Sequence, residues 1–160
     1  MLFRSLKLKH FHLPFPGAPC PTAWARFNNY CYLVGSNIKT WDQAHAYCTG
    51  LGGELVKINS AEENVFVLAL TRRRAPALKQ IWIGLKWDSS ATQFLWSDHS
   101  APVYKNWAPQ EPSGNASEPC GIMWTGHTTL LPFRASGYWN DLICGVVPQL
   151  PCGLVCKRLP

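Results

Sequence analysis

Apolar positions recur at helical spacing in the first half of this chain and in short bursts in the second. Trp41, Ala44, Tyr47, Cys48 and Leu51 fall three and four apart, on one face of a predicted helix. Thr40, with Gln43 three residues later, is a capping box that starts this helix. Gly50, Gly52 and Gly53 end it. Leu55-Val56-Lys57-Ile58 predicts a short strand. Ser60 and Glu63 make a second capping box, and Val65, Phe66, Leu68 and Ala69 continue as a second amphipathic helix. From Gln80 the texture changes to short strands, Ile81-Trp82-Ile83-Gly84-Leu85 and Phe94-Leu95-Trp96, separated by long loops. Glycine and proline punctuate 109–121 and 132–137. Ahead of both halves, Cys20-Pro21 and Cys31-Tyr32 bracket Trp24, Phe27 and Tyr30, which predicts a small aromatic hairpin. Two helices followed by a loop-rich β half indicate an α+β domain, and the chain has no internal repeat.

Charge narrows the choice of partner. The chain carries a net charge of +6 from 15 basic and 9 acidic residues. The basic residues are scattered, apart from Arg72-Arg73-Arg74 and Lys157-Arg158. A nucleic-acid surface wants a basic stripe with interleaved aromatics, whereas here the aromatics cluster with the acids, so no nucleic-acid partner is expected. The arginine triplet reads as a solvated helix end, where cations suit the helix dipole. No apolar run reaches the length a bilayer requires, so no membrane span is expected. Residues 1–19 mix Arg4, Lys7, Lys9, His10 and His12 with Pro14, Pro16 and Pro19, without the continuous apolar stretch of a secretory leader. They are expected to form a flexible arm ahead of a single domain at 20–160.

Cysteine usage sets the compartment. Seven cysteines without a C-x-x-C pair argue against zinc ribbons and thioredoxin chemistry, and for disulfides in a secreted, extracellular protein. Seven is odd, so at least one thiol is free or bonded to another chain, and spacing alone leaves the connectivity open. The disulfide-rich, tryptophan-rich half also gathers oxygen donors: Glu111, Ser113, Glu118, Asn140 and Asp141. Hard oxygens on loops suit Ca²⁺, which takes about six to eight of them, although acidic residues between prolines are also ordinary solvated loop. The five histidines, His10, His12, His45, His99 and His127, show no ligand spacing. A hydrolase would want paired carboxylates or a nucleophile with its base. The acids here suit metal ligation better than that arrangement, and no enzyme activity is expected.

Cys20-Pro21 with Trp24 and Phe27, Trp41 to Cys48, Trp82-Ile83-Gly84-Leu85, Trp96-Ser97-Asp98, Asn106-Trp107-Ala108-Pro109, Glu111-Pro112, Trp139-Asn140-Asp141 and Cys156-Lys157 follow one another in the order of a known pattern. From Cys20 to Cys156 the chain resembles the long form of the C-type lectin domain family. The resemblance implies a C-type lectin-like fold, with two helices, small antiparallel sheets and a long calcium-binding loop. It implies the bridges Cys20–Cys31, Cys48–Cys156 and Cys120–Cys144. Cys152 is then the seventh cysteine. On a turn before the final strand it is expected to be exposed and to join a disulfide-linked homodimer, the alternative being a buried cysteine acting as a small hydrophobe.

The resemblance also implies one functional Ca²⁺, held by Glu111, Ser113, Glu118, Asn140 and Asp141, with a cis peptide before Pro112. Ser113 stands where sugar-binding members carry Asn or Asp. The family's second calcium site is expected to be absent, because its positions fall on Trp87 and Ala91, near Gly114 and on Pro119. The implied partners are glycans bound directly to the metal through vicinal hydroxyls, using the same five residues. Glu-Pro-Ser matches neither the mannose-type Glu-Pro-Asn nor the galactose-type Gln-Pro-Asp. Galactose is favoured over mannose, with Trp124, His127 and Tyr138 as candidates to stack on or contact the sugar, their alternative being ordinary packing. Asn115-Ala116-Ser117 is a glycosylation sequon inside the same loop. The rival reading is a lectin-like module that binds a protein partner without sugar.

Overall fold

The computed structural model describes residues 17–36, 40–126, 136–145 and 152–160. Helix α1 spans Trp41–Gly50 and buries Trp41, Ala44 and Cys48. Its start is local chemistry. Thr40 Oγ1 accepts from Gln43 N (3.1 Å) while Gln43 Oε1 accepts from Thr40 N (3.3 Å), so two amides that the helix itself cannot pair are satisfied. Helix α2 spans Ala61–Arg74 and is capped on one side only, Ser60 Oγ accepting from Glu63 N at 3.2 Å. Glu63 does not complete the expected box. Its Oε2 accepts from Asn59 N (2.8 Å), and its Oε1 accepts from the Tyr32 hydroxyl (2.7 Å) and from Lys157 Nζ. The buried face of α2 is Glu63, Asn64, Val67, Leu70 and Thr71, whereas Val65 is 65% exposed.

The expected small antiparallel sheets are one mixed sheet of eight strands. Strands β1 (Ala25–Phe27), β2 (Tyr30–Gly35), β8 (Cys152–Arg158), β4 (Gln80–Asp88), β6 (Cys120–Trp124) and β7 (Trp139–Leu142) lie in that spatial order. Strand β3 (Glu54–Leu55) joins β8, and β5 (Gln93–Trp96) joins β4. Only β4 and β8 run parallel; the remaining described pairs are antiparallel. Strand β4 is central and almost continuously apolar because both its faces are covered. Ile81, Ile83 and Leu85 enter one buried cluster with Val67, Trp96 and Trp139. Trp82 enters the other, with Trp41, Ala44, Cys48 and Leu154. Gly84 is required by space: a Cβ there would lie 2.7 Å from Leu55 O, where Gly84 N donates to Val56 O at 2.9 Å.

The three bridges are Cys20–Cys31, Cys48–Cys156 and Cys120–Cys144, as the family resemblance implies. Cys152 corrects the expectation made for it. It is the first residue of β8 rather than part of an exposed turn, it is 7% exposed, and it packs in the cluster around Trp82. Burial pushes its thiol up to about 12. An interchain disulfide needs an accessible sulfur and a thiolate, and this side chain offers neither. The covalent dimer is therefore set aside. Residues 1–16 of the expected arm lie outside the described residues.

Candidate functional site

Trp139 anchors the long loop to the body of the domain. It is fully buried, and its indole Nε1 donates to Asn64 Oδ1 of α2 at 2.8 Å. The rings of Trp96, Tyr104 and Trp107 meet it edge-on at 5.6, 5.6 and 5.9 Å, each contact adding about 0.5–1.5 kcal/mol beyond simple burial. Trp139 N donates to Asn106 O and Ala108 N donates to Trp139 O, both at 2.8 Å. Asn64 Nδ2 (3.0 Å) and Asn106 Nδ2 (2.7 Å) converge on the carbonyl of Gly137. The segment 106–108 is thus laid beside β7, and Glu111 N closes the next turn onto Ala108 O at 3.0 Å.

Asp141 stands two residues beyond Trp139, opposite Gly121 of β6, and is fully buried. Its Oδ1 accepts from Ser113 N (3.0 Å), and its Oδ2 accepts from Gly114 N (2.7 Å) and Asn115 N (3.2 Å). Hydrogen bonds to a charged group contribute about 1.5–3 kcal/mol each, so this carboxylate folds the loop onto β7. A carboxylate has about four acceptor positions; the three amides take three of those on Asp141, and the Glu111 carboxyl hydrogen-bonds to the same side chain. The Glu111–Pro112 peptide is cis, as expected. Glu111 Oε2 is buried with no hydrogen-bond partner. Burial raises the Glu111 carboxyl, the Ser113 hydroxyl pulls it down, and the neighbouring Asp141 and Glu118 push it up again. The Glu118 side chain lies over the Cα of Gly114. Asn140 Nδ2 donates to Asp141 O at 2.9 Å, leaving its amide oxygen available.

The structure therefore brings Glu111, Ser113, Glu118 and Asp141 to one junction of loop and strand, with Asn140 adjoining. It does not bring Trp124 and Tyr138 there. Trp124 N pairs with Tyr138 O (3.0 Å) at the other end of the β6–β7 pair. Three residues separate Trp124 from Gly121, the partner of Asp141, or about 10 Å along the strand. Trp124 packs against the buried cluster around Trp82. His127 lies outside the described residues. Backbone donors leave no residue signature, so the grip of the three loop amides on Asp141 is not legible in the sequence. Gly114 was a visible hint, because a glycine often marks a close approach.

Calcium fits these residues in chemistry. Every side-chain donor is a hard oxygen or can present one, and the unpaired buried Oε2 of Glu111 lacks the partner that a cation would be. Among the described residues no three His, Cys, Asp or Glu side chains converge tightly enough to cage an ion by themselves. Ser113, Asn140 and solvent or ligand hydroxyls would have to complete the shell.

A model of the lectin C-type domain matches residues 37–158. The chain belongs to the C-type lectin domain family. It is 37% identical over 126 residues to the mouse low affinity immunoglobulin epsilon Fc receptor, covering 78% of this chain and 34% of the receptor. This chain thus spans about a third of the length of that relative. Among solved structures, the cow C-type carbohydrate-recognition domain of CD23, in the presence of GlcNAc2Man3 oligosaccharide, superposes with a TM-score of 0.71 at 36% identity, covering 89% of this chain and 97% of that one. A calcium-independent type II antifreeze protein superposes with a TM-score of 0.71 at 25% identity, covering 88% of this chain and 95% of that one. A structure of closely similar fold is thus described as calcium-independent.

Proposed function

We propose that this C-type lectin domain binds glycans through a single Ca²⁺ held by Glu111, Ser113, Glu118, Asn140 and Asp141, in an extracellular setting suited to its three disulfides. The observation that carries the reading is the buried, unpartnered Oε2 of Glu111 beside two further carboxylates. Calcium, when bound, supplies open coordination positions that vicinal sugar hydroxyls can fill. Glu111 and Glu118 accept hydrogen bonds from those hydroxyls, and the second N–H of the Asn140 amide donates one. Asp141 holds the loop in shape through Ser113, Gly114 and Asn115. The cow CD23 domain, described with an oligosaccharide, supports a glycan ligand. Ser113 offers one hydroxyl where an asparagine would offer an amide donor, so the mannose-type hydrogen-bond set is incomplete and galactose ranks ahead of mannose. With Trp124 and Tyr138 away from Asp141, that order rests on Ser113. Monosaccharide affinity is weak, on the order of millimolar.

Calorimetric titration with Ca²⁺, followed by retention on galactose and mannose columns, tests this. Calcium uptake and retention that EDTA or Asp141→Ala removes is the expected result. Retention that survives both treatments would overturn the mechanism, and better inhibition by mannose than by galactose would reverse the sugar order.

A second reading has its own support. Asp141 is already satisfied by loop amides, one similar structure is described as calcium-independent, and a relative is named as an immunoglobulin receptor. On that reading the loop recognises a protein surface without metal, and EDTA leaves binding unchanged.

A further inference from the structure

We propose that Gly114 is a positioning residue for Glu118: the missing side chain at 114 is what allows the Glu118 carboxylate to sit in the site. Its meaning for binding rests on the calcium-lectin reading above. Backbone conformation does not explain the glycine. Gly114 is not among the residues with positive φ, whereas its neighbour Asn115 (φ 46°) is. Space explains it. A Cβ on Gly114 would stand 2.5 Å from Glu118 Cβ, 2.6 Å from its Cγ and 2.6 Å from its Oε2.

The loop has little room to yield. On one side Gly114 N donates to Asp141 Oδ2 at 2.7 Å, flanked by the Ser113 and Asn115 amides on the same carboxylate. On the other side Gly114 O accepts from Ser117 N (2.9 Å) and from Ser117 Oγ (2.8 Å). Gly114 is thereby tied to buried Asp141 and to the turn that delivers Glu118. Rotating the Glu118 side chain would clear Cγ and Oε2. It would leave the nearest contact, because Cβ moves only with the backbone. A methyl group at 114 must therefore either loosen the amides from Asp141 or push Glu118 away from Glu111 and Asp141.

A double-substitution cycle in EDTA tests the steric claim without metal. Gly114→Ala is expected to lower the melting temperature by about 5 °C. The same substitution should cost about as much in Glu118→Gln, which keeps the atoms and removes the charge. It should cost little in Glu118→Gly, which removes the atoms it strikes. An equal cost in the Glu118→Gly background overturns the proposal. Calcium calorimetry tests the functional half. Gly114→Ala is expected to weaken uptake by about 10–100-fold, the usual effect of disturbing a group that orients a ligand. Parental affinity in Gly114→Ala overturns the positioning role. If the parent protein takes up no calcium, the calcium reading falls, and the cycle in EDTA still decides whether Gly114 and Glu118 are coupled.

Discussion

Single side chains in this protein are governed by what burial does to them. The Glu111 carboxyl is raised by burial and by the carboxylates of Asp141 and Glu118, against the opposing Ser113 hydrogen bond. The folded state therefore holds the Glu111 proton more tightly than the unfolded chain does. This contribution favours folding below the ordinary carboxylate range and is lost as pH rises through the raised value. In EDTA, Glu111→Gln should accordingly unfold at a higher temperature than the parent at pH 7, with the gap closing toward pH 4. A gap that widens on acidification contradicts this. Bound as proposed, calcium would compete with protonation of this carboxyl, so uptake measured by calorimetry should weaken as pH falls. Cys152 is the second case. With its thiol buried and pushed up to about 12, the native protein should react slowly with Ellman's reagent and release one equivalent only on unfolding. On a non-reducing gel it should run at the monomer mass of 17.9 kDa.

Between elements, the tie from α2 to β8 carries the largest local stake. Glu63 and Lys157 have side chains 7% and 8% exposed. Lys157 Nζ also donates to Lys57 O at 3.0 Å and lies 4.2 Å from the Tyr30 ring centroid. Removing one member of such a pair strands a buried charge, at a cost of about 3–5 kcal/mol. Lys157→Met should lower stability by that amount in denaturant titration. Lys157→Met combined with Glu63→Gln should recover part of it, because no charge is then left unpaired and an acceptor for the Tyr32 hydroxyl remains. Thr40→Ala, which removes only a cap at the solvent-exposed start of α1, should cost about 1 kcal/mol.

The whole domain is closed by Cys48–Cys156, which joins α1 to the last strand across 108 residues of sequence. Replacing both cysteines by alanine should cost about 2–5 kcal/mol, read as a shifted urea midpoint, since the unfolded chain regains the freedom the bridge removes. Much of this molecule is legible in sequence where signals act within a few residues. The cap residues Thr40 and Ser60 mark both helix starts, Ile81-Trp82-Ile83-Gly84-Leu85 marks the central strand, and the oxygen donors of the loop declare their chemistry by type. What escaped depends on residues far apart in sequence. Glu63 leaves its capping box for Tyr32 and Lys157, which lie 31 and 94 residues away. The parallel pairing of β4 with β8 buries Cys152, and packing of α2 against β1 and β2 selects Val67 and Leu70 rather than Val65 as its inner face. The strand register carries Trp124 away from Asp141, while three amides, 26 to 28 residues from that carboxylate, fold the loop onto it. Side-chain type and short-range spacing determined the elements and the ligand chemistry. Burial, register and the partners of each charge were decided only when distant strands paired, because those energies do not exist until the chain has closed on itself.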